Sequence, residues 1–184
     1  MGAKIRQEAG CSQRPESEDS GLVRTLLILR HAKSGHDDGL PDKARTLTDR
    51  GRKAATKMGG IAREAGLVPD RVLCSSAVRA RETWAHFGPA AGFQGEVEYL
   101  NELYLAEPEV YVSAVAEYGG DAERVMVVGH NPGLEGLVTD LTGERCELPT
   151  AALVECGLEI ESWSRLTPVT SGKLIRFFRP KDSD

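Results

Sequence analysis

A chain of 184 residues with a formal net charge of -5 has room for one domain with a sizeable core, and its composition is that of a globular protein. Mild acidity makes it a poor general binder of nucleic acid or of anionic membranes, so we expect neither as a partner. No apolar run approaches the roughly 20 residues that span a bilayer. Four scattered cysteines indicate reduced thiols, and together these features predict a cytoplasmic protein.

The chain divides into a polar N-terminal segment and one domain. Residues 1–21 are polar and carry Pro15 and an acidic cluster from Glu16 to Asp19, a composition that predicts disorder. Residues 22–184 contain the alternating apolar patterns of a folded domain, with no internal repeat.

Strands and helices alternate along this domain. The run 22–29 is continuously apolar near its end, as in a strand buried on both faces. A helix follows that Thr48 caps and Gly66 ends, with apolar side chains at three-and-four spacing. Next in chain order we predict a strand at 71–75, a helix at 77–87, a strand at 96–100, a helix at 108–118, a strand at 124–128, a helix from Pro132, and strands at 152–160 and 173–178. This alternation predicts a three-layer α/β/α sandwich around a mostly parallel sheet, to which the last two strands can add an antiparallel edge.

Histidines and arginines follow three of the predicted strands. Arg30 and His31 follow the first strand, Arg79 comes shortly after the second, and His130 follows the fourth. Because the carboxyl ends of parallel strands lie at one edge of the sheet, we expect these side chains to converge. Converging cations make an anion site, and forked arginine donors suit phosphate. A neutral histidine beside them is a competent nucleophile.

The segments at these strand ends resemble the signature segments of the histidine phosphatase superfamily, the group with a phosphoglycerate mutase-like fold. They are LRHAKSG at 29–35, SSAVRARET at 75–83 and VVGHNPG at 127–133. The compact size and the RHAKS form are most similar to the SixA-type branch, the phosphohistidine phosphatases. The resemblance covers residues 22–178 and implies a metal-independent phosphatase that needs no cofactor and forms a phosphohistidine enzyme intermediate.

The resemblance also implies a role for each matched residue. His31 would accept the phosphoryl group, while Arg30 and Arg79 would bind its oxygens. His130 would stabilise the charge that builds on those oxygens during transfer. Glu102, in the segment LNELYLAEP at 100–108, resembles the glutamate that protonates the leaving oxygen in the mutase-like branch.

The sequence also gives expectations for other positions near these segments. The predicted substrate-binding side chains are Lys33, Ser34 and Asn131. Ala32 replaces the glycine of R-H-G, and Asp37 stands where many mutase-like members have a phosphate-binding asparagine. For Arg45, just before the helix cap, we expect a structural salt bridge.

The substrate stays open at this point. The leading hypothesis is a phosphatase for protein phosphohistidine or another accessible phosphate, because the segments 79–102 and 102–130 leave little room for a lid. The alternatives are a small-metabolite phosphatase or mutase acting on a sugar or alkyl phosphate, and a non-catalytic phosphate-binding module. A metallohydrolase built on His31, His36 and His130 lacks a carboxylate at ligand spacing beside them.

Overall fold

The structure, a computed structural model, describes residues 23–35 and 39–180. The disorder predicted for residues 1–21, and the expectations for His36 and Asp37, lie outside the described residues.

The predicted elements are all present, most of them shifted at their ends by one or two residues. In the described part of the chain they are β1 (Val23–Arg30), α1 (Asp49–Glu64), β2 (Arg71–Ser75), α2 (Val78–Ala91), β3 (Val97–Leu100), α3 (Pro108–Tyr118), β4 (Arg124–Gly129), α4 (Gly133–Thr142), β5 (Leu153–Glu159) and β6 (Gly172–Phe178). The largest difference is in α2, which continues past Pro89 and ends only where Gly92 adopts a φ of 77°. Glycine adopts this left-handed conformation without steric cost, which is why helices commonly end at such a residue.

The sheet is mixed, with its parallel part in the centre and at one side. Strand order is β3-β2-β4-β1-β5-β6. The pairs β2–β3, β2–β4 and β1–β4 are parallel, whereas β1–β5 and β5–β6 are antiparallel. The mostly parallel sheet with an antiparallel edge is therefore confirmed.

Alternate side chains of the central strands enter two separate cores. On β1, Leu26 and Ile28 pack in a cluster with residues of α3 and α4, while Leu27 and Leu29 pack in a cluster with residues of α1 and α2. Burial on both faces explains why this strand is apolar without alternation. The result is the predicted α/β/α sandwich. No helix among the described residues is long and apolar enough to cross a membrane.

The order of the strands brings three carboxyl ends together. β1 lies between β4 and β5, with Arg30 paired to Gly129 in parallel register, and β2 lies on the other side of β4. A Cβ on Gly129 would collide with the hydroxyl group of Tyr111. That hydroxyl instead accepts the backbone N–H of His130 at 3.1 Å, so α3 fixes the chain directly after β4.

Candidate active site

His31 lies at the centre of the site with one ring nitrogen held and the other facing an arginine. Its Nδ1 is 2.8 Å from the carbonyl oxygen of Ala32, and its Nε2 is 3.3 Å from Nε of Arg79. A carbonyl oxygen only accepts, so Nδ1 carries the proton of the neutral ring and Nε2 has the lone pair. The nitrogen available as a nucleophile is therefore Nε2, which lies beside a guanidinium group.

The loop after β1 is bonded to the helix that carries Arg79. The N–H of Ala32 donates to the Thr83 hydroxyl at 2.9 Å, and that hydroxyl donates to the carbonyl oxygen of Arg79 at 2.6 Å. On the other side of the loop, the backbone N–H of Thr48 donates to the carbonyl oxygen of Lys33 at 2.9 Å. These bonds fix His31 relative to both α1 and α2.

Arg79 is almost fully buried and is held at its far end by Asp42. Nη1 donates to the Asp42 carbonyl oxygen at 2.7 Å and Nη2 donates to the Asp42 carboxylate at 3.0 Å. These two bonds occupy the end of the guanidinium group. The edge that carries Nε stays directed at His31, which is where an incoming phosphoryl group would lie.

Asp42 is one of the residues of the site that the sequence does not predict. Its Oδ1 accepts from Arg45 at 2.8 Å, and its Oδ2 also accepts from the Tyr104 hydroxyl at 2.7 Å. The hydrogen bond from Tyr104, with smaller contributions from the arginines, lowers the pKa of Asp42 to about 2. The carboxylate is thus ionised near neutral pH and links two cations. The segment LPDKART at 40–46 carries no pattern that predicts this contact.

Arg45 makes the expected salt bridge and also reaches the rim of the site. Its Nη2 donates to the Ser34 hydroxyl at 3.0 Å and its Nε donates to the Gly35 carbonyl oxygen at 2.9 Å. The expectation of a salt bridge is confirmed by the pair with Asp42. Arg45 consequently adds a third guanidinium group to those of Arg30 and Arg79.

His130 stands next to His31, with their ring centroids 5.1 Å apart. Its Nε2 lies 2.8 Å from the Ser75 hydroxyl, and the Tyr104 ring meets it edge-on at 5.7 Å. Its Nδ1 is buried and has no hydrogen-bond partner among the described residues. A buried polar atom without a partner beside a nucleophile is a natural contact for a substrate oxygen.

Arg30 and Asn131 both bond to the loop before β5. Arg30 and the Asn131 amide group donate to the carbonyl oxygen of Leu148. The Asn131 amide also donates to Glu135 at 2.6 Å. Substrate binding by Asn131 stays a prediction, because its amide group donates hydrogen bonds to Leu148 and Glu135 in the structure.

The remaining predicted residues lie at different depths. Ser34 is buried beneath Arg45, whereas Lys33 is exposed at the rim. Glu102 is exposed on the turn after β3 and makes no hydrogen bond to the described residues. The side chain of that turn which reaches the site is Tyr104. Proton donation by Glu102 therefore stays a prediction as well.

The two histidines are neutral near pH 7. Burial is the largest cause that lowers the pKa of His31 to about 4, opposed by the hydrogen bond to Ala32 and aided by the charge of Arg79. Burial, followed by the neighbouring His31, lowers the pKa of His130 to about 3. Within the described ranges, no group of three or more His, Cys, Asp or Glu side chains is arranged to hold a metal ion.

Known proteins share sequence with this chain over most of its length. An uncharacterized protein of Mycobacterium tuberculosis is 38% identical over 109 residues, which is 59% of this chain and 66% of the relative. An uncharacterized protein of Mycobacterium leprae is 34% identical over 119 residues, which is 62% of this chain and 71% of that protein. No protein-family model matches the chain.

Solved structures share the fold. A candidate phosphohistidine phosphatase SixA from Nakamurella multipartitia superposes with a TM-score of 0.77 at 28% identity, covering 86% of this chain and 96% of that one. A candidate of the same description from Agrobacterium tumefaciens gives 0.73 at 28% identity, covering 85% and 98%. The protein histidine phosphatase SixA complexed with tungstate also gives 0.73, covering 87% and 99%, although at 23% identity it supports the fold alone.

The sandwich, the histidine pair and the arginines around it define a phosphatase enzyme. In fold and in sequence the chain is similar to the SixA-like branch of the histidine phosphatase superfamily.

We expect the imidazole groups of His31 and His130 to stay unprotonated down to about pH 5. Nitrogen-15 NMR of the two rings across a pH titration measures this directly, and a midpoint near the ordinary value of about 6.5 for either ring would contradict it. The unfolded chain takes up these protons near that ordinary value, whereas the folded chain does so only at lower pH. Folding stability should therefore fall as pH drops from about 6.5 towards 4.

Replacing Asp42 should loosen Arg79 more than it loosens the fold. We expect Asp42→Ala to lower kcat/KM for a phosphatase substrate by about tenfold or more, because small displacements of a transition-state contact are costly. Asp42→Asn, which keeps one acceptor oxygen, should retain more activity than Asp42→Ala. The melting temperature should change little, since the Asp42 side chain is 44% exposed. Unchanged kcat/KM in both variants would show that Arg79 does not need this partner.

Proposed function

We propose that this protein hydrolyses phosphohistidine on proteins, or another accessible phosphate, through a phosphohistidine intermediate on His31 and without a metal ion. The observation that carries the proposal is the Nε2 lone pair of His31, placed 3.3 Å from the Arg79 guanidinium group. A nucleophile beside a fixed cation suits attack on an anionic phosphoryl group.

In the first step, Nε2 of His31 attacks phosphorus and the bond from phosphorus to the leaving group breaks. The proton on Nδ1 stays with the ring and is held there by its hydrogen bond of 2.8 Å to the Ala32 carbonyl oxygen. Arg30 and Arg79 bind the oxygens whose charge changes as the group passes through its planar transition state. Ser34 and Lys33 lie close enough along the same loop to add contacts at the rim.

In the second step, water attacks the phosphoenzyme and the bond from phosphorus to Nε2 breaks. The products are inorganic phosphate and neutral His31, so the cycle closes without an oxidant or a cofactor. The Ser75 hydroxyl group accepts a hydrogen bond from the Ala77 N–H at 3.3 Å, so its own hydrogen can be donated to Nε2 of His130. The remaining proton of His130 then lies on Nδ1, as a donor for a phosphoryl oxygen.

Two features support a protein-borne or loosely enclosed phosphate. The described segment between β3 and α3, residues 101–107, is a short turn beside the site. Short turns leave little material to enclose a small substrate. The solved structures with 28% identity are also described as candidate phosphohistidine phosphatases. A small-metabolite phosphatase or mutase is the alternative that a substrate panel would reveal.

Removing the nucleophile should stop turnover and phosphoenzyme formation together. We expect His31→Ala to reduce hydrolysis of a phosphohistidine peptide to trace levels. It should also abolish labelling of the protein by radioactive substrate, measured after an alkaline quench in detergent because the bond from phosphorus to nitrogen is labile in acid. Arg79→Ala should lose on the order of 100-fold in kcat. His86→Ala, on α2, is the matched control and should behave like the wild type. Both proteins should keep their activity in excess EDTA, because the proposed mechanism uses no metal ion. Labelling that persists in a folded His31→Ala protein would assign the nucleophile elsewhere.

Glu102 can be tested through the leaving group. An alkoxide leaves poorly and needs a proton donor, whereas the imidazole of phosphohistidine leaves readily. If Glu102 is that donor, Glu102→Gln should lower kcat/KM for an alkyl phosphate markedly and hardly change it for a phosphohistidine peptide. Glu107→Gln, on the same segment, is the control. Equal losses on both substrates would end the assignment of Glu102 as an acid.

A further inference from the structure

A large cavity is lined in part by Arg30, and Arg79 is not among its lining residues. Its volume is about 750 Å³, which is enough for a drug-sized molecule or several side chains. Six charged residues line it, four of them basic: Arg30, Lys33, Arg50 and Arg179, with Glu135 and Glu147. The phosphoryl site proposed above and this cavity thus share Arg30 as a common wall.

Two of the four cations lack partners in the part of the chain that the structure describes. Lys33 and Arg50 are exposed, and their side chains make no hydrogen bond or ion pair with those residues. The nearby arginines behave differently, since Arg45 and Arg52 each pair with an aspartate. Two unpaired cations on one wall have free donors for an outside anion.

The two acidic residues that line the cavity, Glu135 and Glu147, do not neutralise its basic residues completely. Oε1 of Glu135 already accepts from the Leu148 N–H at 2.8 Å and from the Asn131 amide at 2.6 Å. The Nε atom of Arg30 is buried with no hydrogen-bond partner among the described residues. Lys33 and Arg50 are unpaired in the described part of the chain and one of the two carboxylates is engaged in the loop, which leaves the cavity attractive to negative charge.

We propose that this cavity binds a second anionic group of the substrate, a carboxylate or a phosphate, while the reacting phosphoryl group lies between His31 and Arg79. The inference rests on the proposed function and adds a substrate class to it. Preferred substrates carry negative charge close to the phosphoryl group that reacts. On a protein this means acidic side chains flanking the phosphorylated residue, and on a small molecule a second acidic group.

Unreactive ligands of equal shape test the cavity without turnover. Benzylphosphonates with a carboxylate on the ring, at the meta or para position, are compared with the matching carboxamides by titration calorimetry. We expect the wild type to bind at least one carboxylate isomer about fivefold more tightly than its carboxamide, the size of a partly exposed ion pair. Equal affinity for both members of both pairs would overturn the proposal.

Two charge reversals on α1 separate a local contact from the general field of the protein. Arg50→Glu should bring the ratio of the two affinities to about one or below, because a cation of the wall becomes an anion. Lys53→Glu has the same kind of charge reversal on the same helix, is exposed, and lies outside the cavity lining, so the ratio should stay near the wild-type value. Equal losses in both variants would mean that long-range charge sets the preference, and the cavity would not be the site.

Turnover measurements then show whether the second negative charge belongs to a protein or to a small molecule. They also test the proposed function separately from the cavity. Phosphohistidine peptides with flanking glutamates should be hydrolysed faster than peptides with flanking glutamines if the natural substrate is a protein. A preference confined to small ligands would assign the site to a small molecule. Selective binding of the carboxylate ligands without hydrolysis of any phosphohistidine peptide or other phosphate substrate would retain the cavity and overturn the proposed function alone. Failure to bind any phosphonate would overturn both.

Discussion

The site depends on holding three guanidinium groups together beside an imidazole that has no proton on its reactive nitrogen. Like charges at this range repel, and burial strips away the water that would screen them. Asp42 meets this requirement with one carboxylate, which bridges Arg45 and Arg79 and accepts a further hydrogen bond from Tyr104. The surplus positive charge attracts a phosphoryl dianion. Burial first, and these charges to a smaller extent, lower the pKa of His31 and so keep its reactive nitrogen unprotonated.

The scaffold supplies the precision that such a field needs. Because β1 and β4 are parallel neighbours, the two histidines follow paired residues and come within ring contact. The strand ends are then locked from outside the sheet: Tyr111 on α3 holds the backbone of His130, and Thr83 on α2 holds the backbone of Ala32. Each lock joins a strand end to a helix of a different layer. Displacing either helix would shift one of the two histidines, so packing of the whole sandwich sets the geometry of the site.

The sequence predicts that His31, Arg79 and His130 lie close together, as the structure has them, because the carboxyl ends of parallel strands meet at one edge of the sheet whatever the loops do. Asp42, Tyr104 and Ser75 could not be predicted in the same way. Their roles depend on where two turns fold back and on side-chain contacts across 37 to 62 residues of sequence. Helix α2 illustrates the same limit on a smaller scale: the helix predicted at 77–87 continues past Pro89 and ends at Gly92.

The two sides of the nucleophile differ in a way that bears on substrate choice. On one side the cations are already satisfied, since Asp42 neutralises part of the charge of Arg79 and Arg45 and the Tyr104 ring closes the space beside His130. On the other side, beyond Arg30, the cations face a cavity. An anionic substrate gains little by extending towards the carboxylate and more by extending towards the free donors. Under the proposed function, this asymmetry in how the cations are paired would favour substrates whose second negative charge lies towards the cavity.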